Sequence, residues 1–403
     1  MSNPVTCDIF CTVVDNYGDI GVCWRLARQL AHEYGVAVRL WVDDLDSLAR
    51  LCPEADASLM QQHCRGVEVR HWVALFPEAK PADLVIEAFA CKLPERYVAA
   101  MAKIETQSVW INLEHLSAED WVAGCHKLPS PHPSLPLTKY FFFPGFTPQT
   151  GGLLLEHDLP ARRDAFQGNV RVSAAFWQSL GVPAPQVGET RVSLFCYENP
   201  ALPELLAAWV ENPTPVYCLV PEGRALPQVA AFFRQAHVAP GDVSKRGNLQ
   251  VHVLPFVEQE RYDELLWACD INFVRGEDSC VRAQWAGKPF VWHIYPQDDG
   301  VHIKKLRAFM ELYCAGLPPD AAQALHGLWE AWNPSTKPLA LSSVEGSGQD
   351  SGRDVSVWNN FWIHRSMMQQ HAQGWAQELS ANSLARNLLD FFCSIDRMRG
   401  FKI

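Results

Sequence analysis

Two aspartates four positions apart, Asp15 and Asp19, lie in the segment VVDNYGDIGVCWRLARQL at 13–30. An apolar run precedes them and apolar residues at helical spacing follow, which predicts a strand, a glycine-containing turn and a helix. Such a turn often binds phosphate at the helix N-terminus, but two carboxylates would repel phosphate. They would suit a neutral or cationic nucleophile. Alternatively, Asp15 caps the turn and Asp19 caps the helix without any role in chemistry.

A second strand, turn and helix are predicted at 269–297, where the turn R-G-E-D-S does suit phosphate. The helix is expected to begin at Asp278 or Ser279, which are both favourable N-cap residues. Free backbone N–H groups, the Ser279 hydroxyl and Arg275 would bind the phosphate. Glu277 would accept hydrogen bonds from sugar hydroxyls. The alternative is a capped helix with no ligand.

Aromatic residues accompany this second turn. Phe256 is expected at the end of a strand, Gln259 at the start of a helix and Tyr262 one turn later. A ring that stacks and an amide that hydrogen-bonds would together recognise a nucleobase, although core packing is the alternative for Phe256. Phe195 and Tyr197 are expected on one face of a strand end, either in the core or lining a cleft.

Composition limits the class of protein. The chain has 403 residues, of which 48% are hydrophobic and 20% charged, as in soluble proteins with two or three domains. It has no apolar run long enough to span a membrane and no signal-peptide pattern at its start. Thirteen cysteines without C-x-x-C pairs predict reduced thiols in the cytoplasm. A net charge of −11 argues against nucleic-acid binding. No metal-ligand spacing, dinucleotide motif, phosphate-binding loop motif or nucleophile elbow is present.

Strands and helices alternate along the chain. Strands are predicted at 8–14, 36–42, 67–72, 83–89, 108–113, 191–197, 214–220, 249–256, 269–275 and 289–295. Helices are predicted at 24–34, 95–105, 203–210, 226–236 and 259–270. This alternation predicts parallel sheets with helices on both faces.

Composition also suggests where the domains end. Residues 129–163 are dense in proline and glycine, which predicts a boundary between domains at 1–150 and 165–375. The Ser/Gly/Asp-rich residues 334–356 are predicted to form a flexible loop. A helix at about 380–403 is expected to pack back on the first domain. The predicted architecture is thus two doubly wound α/β domains facing a cleft, with ligands at the carboxyl ends of the strands.

The sequence resembles the bacterial protein-arginine rhamnosyltransferases that modify translation elongation factor P (EF-P). The resemblance covers essentially the whole chain, and its most specific blocks are DNYGDIGVCWRLARQL (15–30), NLEHLSAEDWV (112–122), FFFPGFTPQTGGLLLE (141–156), LPFVEQERYDELL (254–266) and RGEDSCVRAQWAGKPFVWHIYPQ (275–297). It implies a GT-B glycosyltransferase with two Rossmann-like domains. It also implies inverting, metal-independent transfer of L-rhamnose from dTDP-β-L-rhamnose to an arginine of EF-P, without a cofactor.

The resemblance assigns roles to individual residues. It implies catalytic roles for Asp15, Asp19 and Glu277. The implied donor-binding residues are Phe195, Tyr197, Phe256, Gln259, Tyr262, Arg275, Glu277, Asp278 and Ser279. The implied acceptor-binding residues are Asp15, Asn16, Asp19 and Glu114. The acceptor would bind the N-terminal domain and the nucleotide sugar the C-terminal domain. No nucleic acid or membrane partner is implied, and the activated EF-P would rescue ribosomes at polyproline stretches.

An arginine acceptor would explain why two aspartates lie in this turn. A guanidinium has a pKa above about 12 and is a poor nucleophile. Two carboxylates can grip its N–H fork and remove a proton as the bond forms. We expect Asp19 to be the base and Asp15 to orient the guanidinium, while the helix N-terminus at 277–279 stabilises the leaving diphosphate.

Three alternatives remain open at this stage. Glu114 follows a strand of the first domain and is expected on the same wall as Asp15, where it would help to receive the arginine, but it could instead be a solvated loop residue. The enzyme could act on a small-molecule acceptor. The chain could also be a non-catalytic protein that binds nucleotide sugar or a translation factor.

Overall fold

A computed structural model of the chain describes residues 4–15, 17–297, 300–334 and 353–398. The strands are Thr6–Cys11 (β1), Ala37–Val42 (β2), Gln61–Cys64 (β3), Val67–His71 (β4), Leu84–Ala88 (β5), Val109–Leu113 (β6), Pro129–Pro131 (β7), Thr138–Phe142 (β8), Thr190–Leu194 (β9), Val216–Pro221 (β10), Val243–Arg246 (β11), Leu249–Leu254 (β12), Ile271–Arg275 (β13) and Phe290–His293 (β14).

The helices are Gly18–Tyr34 (α1), Leu45–Leu51 (α2), Glu95–Met101 (α3), Trp121–Cys125 (α4), Leu159–Gln167 (α5), Val170–Ser179 (α6), Leu202–Val210 (α7), Leu226–Phe232 (α8), Gln259–Ala268 (α9), Gly276–Trp285 (α10), Val301–Cys314 (α11), Pro319–Trp332 (α12), Arg353–Leu379 (α13) and Leu384–Met398 (α14). The chain divides into two compact units. The first runs up to His157 and resumes at Leu379, and the second spans Asp158–Glu378.

The first unit contains one sheet of eight strands in the order β3-β4-β2-β1-β5-β6-β8-β7. The six inner strands run parallel, and only the edge strands β3 and β7 run antiparallel to their neighbours. β5 and β6 are buried at every position, as expected where helices cover both faces of a sheet. The strand order reverses between β1 and β5, and ligands of doubly wound sheets bind at such a point.

A core of aromatic residues covers one face of this sheet. Phe10 and Trp41, from neighbouring strands, stack with ring centroids 5.8 Å apart. Phe76 and Tyr97 pack against Phe10, the latter from helix α3. Burial of such large side chains stabilises a domain, and Phe10 ties this core to the carboxyl end of β1.

The second unit contains a sheet of six strands in the order β11-β12-β10-β9-β13-β14. All neighbouring strands are parallel except the edge strand β11. The strand order reverses between β9 and β13. The predicted doubly wound α/β fold is therefore confirmed in both units.

Several predicted elements differ from the observed ones. The segment 129–163, where a domain boundary was predicted, contains β7, β8 and the start of α5, because the β-prone residues TKYFF between the prolines form a strand. Residues 335–352 of the predicted loop at 334–356 lie outside the described residues. The loop prediction is wrong at its end, since α13 begins at Arg353.

Candidate active site

Asp19 is part of the turn that joins β1 to α1. Its Oδ2 accepts hydrogen bonds from the backbone N–H groups of Val14 and Asp15, each at 2.9 Å. The side chain is 7% exposed. Asp19 lies in the first turn of α1, whose N-cap position is occupied by Tyr17 without a side-chain cap bond. The alternative prediction that Asp19 is the N-cap is therefore wrong, because its carboxylate binds the preceding turn.

Asp15 is half-buried and lies over the start of α1. The backbone N–H of Gly18 donates to the carbonyl of Asp15 at 2.6 Å. A Cβ atom at Gly18 would lie only 2.6 Å from Asp15 Oδ2, so glycine is needed for the carboxylate to take this position. The structure thus brings Asp15 and Asp19 together. Asn16, the third predicted acceptor residue in this turn, lies outside the described residues.

Glu114 follows β6 at the same edge of the sheet. Its backbone N–H donates to the carbonyl of Phe142 at 2.9 Å. Its Oε1 accepts a short hydrogen bond from the side-chain amide of Asn112, which is buried. Since β5 alone separates β1 from β6, Glu114 and the two aspartates share the carboxyl edge of this sheet.

Arg275 is the centre of the predicted donor site in the second unit. The carbon of its guanidinium lies 4.5 Å from the ring centroid of Phe195 and 4.7 Å from that of Tyr197. Arg275 is only 6% exposed. Among the described residues, its Nη1 atom is buried without a hydrogen-bond partner. Buried polar atoms are normally paired, so this unpaired Nη1 atom is an exception among the described residues.

The turn after Arg275 differs from the prediction at its start. Helix α10 begins at Gly276, two residues before Asp278, because Gly276 has a φ of 65° that turns the chain directly after β13. Ser279 does not cap the helix. Its hydroxyl accepts a hydrogen bond from the backbone N–H of Arg275 at 3.2 Å and donates a short one to the Arg275 carbonyl. Glu277 and Asp278 lie half-buried in the first turn.

Gln259 begins helix α9, as predicted, and its side chain binds the first turn of α10. Its Nε2 donates to Asp278 Oδ2 at 3.0 Å. The ring of Tyr262 lies 5.6 Å from that of Phe195, and burial raises the pKa of its hydroxyl. Phe256 is half-buried and follows β12, which ends at Leu254 because Pro255 has no backbone N–H to continue the ladder.

Phe195 and Tyr197 also follow their strand, because β9 ends at Leu194. The predicted placement within the strand end is therefore wrong by a few residues. The N–H of Phe195 still donates to the Phe273 carbonyl at 2.9 Å, which holds the ring beside β13. The predicted donor residues thus lie along the carboxyl edge of the second sheet, most of them at the reversal between β9 and β13 and Phe256 at the end of β12.

Two further residues at this edge were missed by the sequence reasoning. His293 and Tyr295 pack edge-on against Tyr197, with centroids 5.2 Å and 5.5 Å away. Burial, with Arg275 and His302 nearby, lowers the pKa of His293 to about 3. Like Phe195, these two residues lie at or just after the end of a parallel strand. Their position at the end of β14 was the available signal.

The described ranges contain neither a metal-ligand cluster nor a membrane-spanning helix. No three or more His, Cys, Asp or Glu side chains in these ranges lie together as potential metal ligands. No helix within them is both long and apolar enough to cross a membrane.

Comparison with known proteins decides the family. Residues 7–393 match the family described as the elongation-factor P (EF-P) rhamnosyltransferase EarP. The chain belongs to this family. A protein-arginine rhamnosyltransferase of Pseudomonas putida is 51% identical over 388 residues, which are 96% of this chain and 98% of the relative.

Solved structures agree with this family assignment. A structure that explains EarP-mediated arginine glycosylation of EF-P is 38% identical and has a TM-score of 0.67, covering 96% of this chain and 99% of its own. A glycosyltransferase from Rickettsia africae ESF-5 is 10% identical with a TM-score of 0.51 over 100% of both chains, which shows the shared fold alone. The predicted GT-B class, the resemblance to the EF-P rhamnosyltransferases and the prediction of an enzyme are confirmed.

Proposed function

We propose that this member of the EarP family transfers L-rhamnose from dTDP-β-L-rhamnose to an arginine side chain of EF-P, with inversion at the anomeric carbon. The proposal rests on the opposite charges of the side chains at the carboxyl edges of the two sheets. One edge carries the carboxylates of Asp15 and Asp19, in a turn where the Asp15 backbone N–H donates to Asp19 Oδ2, and the other carries the buried guanidinium of Arg275. The first suits a cationic acceptor and the second an anionic donor.

In the acceptor half, Asp19 acts as the base and Asp15 orients the guanidinium. The two backbone bonds of Asp19 use Oδ2, so Oδ1 is the oxygen that we assign to the acceptor. A carboxylate held in this way cannot rotate freely, and fixed geometry is what proton transfer in a general-base mechanism requires. Glu114 is assigned to the same acceptor, and Asn16 is kept as an acceptor residue from the family resemblance.

In the donor half, the nine predicted residues are assigned to dTDP-rhamnose. Arg275 and the backbone N–H groups of the first turn of α10, at Asp278 and Ser279, are assigned to the diphosphate, whose charge the helix N-terminus stabilises as it leaves. Phe256, Gln259 and Tyr262 are assigned to the thymine base, and Phe195 and Tyr197 to the donor side of the site. Glu277 is assigned as the essential glutamate beside the sugar.

We propose that the reaction needs neither a metal nor a cofactor, since the helix N-terminus and Arg275 would offset the leaving-group charge. The enzyme would act in the cytoplasm, where its translation-factor acceptor works. The modified EF-P would then assist ribosomes stalled at polyproline stretches.

Intact-mass analysis tests this proposal. EF-P incubated with the protein and dTDP-rhamnose should gain one rhamnosyl residue, also in the presence of a chelator. EF-P with lysine in place of the acceptor arginine is the matched control and should remain unmodified. Release of dTDP without modification of EF-P would mean that rhamnose is transferred to water and would contradict EF-P as the acceptor, and loss of activity in chelator would contradict the metal-independent route. The anomeric configuration of the product, read by NMR, tests inversion.

A further inference from the structure

The loop between β5 and α3 has an unusual backbone. Phe89, Ala90 and Lys92 have φ angles of 55°, 55° and 54°. Residues other than glycine rarely adopt this left-handed backbone conformation. They keep it only where the surrounding structure imposes it. Three such residues within four positions, none of them glycine or asparagine, indicate that other parts of the structure hold this loop in its conformation.

Two buried side chains hold this loop. The amide oxygen of Asn112 accepts the Ala90 backbone N–H at 3.0 Å, and Glu87 Oε1 accepts that of Lys92 at 3.2 Å. Asn112 and Glu87 are only 1% and 2% exposed. The Phe89 N–H donates to the carbonyl of Leu113 at 2.7 Å. These bonds fix the direction in which Phe89 leaves the sheet.

The loop lies where a ligand of this sheet is expected. β5 is the neighbour of β1 on one side and of β6 on the other, and the strand order reverses between β1 and β5. The loop therefore starts between the turn of Asp15 and Asp19, after β1, and Glu114, after β6. Asn112 connects it to Glu114, because its side-chain oxygen binds Ala90 and its nitrogen donates to the Glu114 carboxylate.

Phe89 carries a flat, half-buried surface at this place. Its ring stacks on that of His115, with centroids 4.5 Å apart and an interplanar angle of 13°. A guanidinium is planar and weakly hydrated, and it stacks on aromatic faces in a way that a compact, strongly hydrated ammonium does not.

We propose that the stacked pair of Phe89 and His115 forms the wall on which the guanidinium of the acceptor arginine lies, beside the carboxylate of Glu114. This inference deepens the proposed function, because it assumes that the acceptor is an arginine. The strained loop then has a defined task. It holds an aromatic face at the carboxyl edge of the sheet, where the carboxylates alone would not distinguish a guanidinium from an ammonium.

A double-mutant cycle on binding to EF-P tests this contact. Phe89→Leu should weaken the Kd for EF-P by about 2- to 30-fold, the range of a cation–π contact. The same substitution should leave unchanged the Kd for EF-P that carries alanine at the acceptor arginine. Equal losses with both forms of EF-P, or no loss with either, would refute the contact. Complete absence of binding by the unaltered protein would instead refute the proposed function.

Two matched variants separate the ring from the backbone that carries it. Phe89→Tyr keeps the aromatic face and should bind EF-P within about twofold of the unaltered protein. Ala90→Gly relieves the neighbouring φ of 55° and keeps the ring, so it should also bind normally. If Phe89→Tyr lost affinity as severely as Phe89→Leu while both stayed folded, a flat wall for the guanidinium would be ruled out.

Discussion

The carboxylate of Asp19 accepts a hydrogen bond from the backbone N–H of Asp15 at 2.9 Å. The same oxygen accepts the N–H of Val14, so one side chain fixes the turn that carries the other. The two aspartates are thus a single structural unit. Because the amide oxygen of asparagine can accept the same two bonds, the shape of the turn depends on the oxygen and not on its charge.

Asp19→Asn should therefore separate charge from structure. We expect turnover with EF-P to fall by about 10²- to 10⁴-fold, as for the loss of a general base. The melting temperature should stay close to that of the unaltered protein, and the Kd for dTDP-rhamnose should stay within a few-fold of it. Single-turnover mass spectrometry and calorimetry measure these quantities. Near-normal rhamnosylation with Asp15 intact would mean that Asp19 only shapes the turn.

Gly18→Ala tests the position of Asp15 without changing a charge. The added Cβ would lie 2.6 Å from Asp15 Oδ2 and would displace that carboxylate. Alanine is a better helix residue than glycine by about 1 kcal/mol, so stability should be unchanged or slightly higher. We expect turnover with EF-P to fall without loss of thermal stability. Full activity in this variant would argue against an orienting role for Asp15.

Glu114→Gln should affect the acceptor and not the donor. The substitution removes the negative charge and keeps a side-chain oxygen that can accept the bond from Asn112. We expect a higher KM for EF-P and an unchanged Kd for dTDP-rhamnose. Glu119→Gln, on the loop that follows, is a suitable control. Equal acceptor kinetics in the two variants would identify Glu114 as a solvated loop residue.

Arg275→Lys should weaken donor binding although the charge is kept. A lysine cannot reproduce the planar contact with the rings of Phe195 and Tyr197 or the two-pronged binding of phosphate. We expect the Kd for dTDP-rhamnose to rise by about tenfold, with the Kd for EF-P unchanged. Arg246→Lys is the control, since Arg246 also lies over a ring, that of Phe232, but at the opposite edge of the sheet. A similar change in both variants would contradict a phosphate site at Arg275.

The sequence predicted most of the sheet strands because parallel strands buried on both faces are continuous apolar runs. It also predicted that Asp15 and Asp19 lie together, since four residues at a strand–helix turn leave little conformational choice. It could not predict where α10 begins, because Gly276 takes a left-handed φ and its carbonyl accepts a hydrogen bond from Trp292 Nε1 on the neighbouring strand β14.

Residues whose role depends on distant partners were missed for the same reason. Phe89 has no local motif, and the conformation of its loop depends on Asn112 of the neighbouring strand β6, which binds the Ala90 backbone N–H. The role of His293 likewise depends on its contact with the ring of Tyr197, which is distant in sequence. Such tertiary relationships decide which aromatic residues line a site and which fill the core.

The stability of the protein should fall as the pH drops below about 6.5, because the buried His293 and the half-buried His126 stay neutral in the folded state. Burial, with nearby Arg275 and His302, lowers the pKa of His293 to about 3. Burial, with nearby Lys127, lowers that of His126 to about 4. In the unfolded chain both pKa values return to about 6.5. Between each lowered pKa and about 6.5, the unfolded state binds more protons than the folded state. The free energy of unfolding therefore decreases with falling pH.

His293→Gln should flatten this dependence. The variant removes one proton that is bound on unfolding, which corresponds to at most about 1.4 kcal/mol per pH unit below 6.5. Denaturant unfolding at pH 8, 6 and 5 measures how the free energy of unfolding changes with pH. Near pH 8 this change should be the same in the two proteins, because His293 is neutral there in both the folded and the unfolded state. His126→Gln in the first unit should act in the same direction and additively. A His293→Gln variant whose stability falls between pH 6 and 5 as steeply as that of the unaltered protein would show that His293 takes up its proton in the folded state.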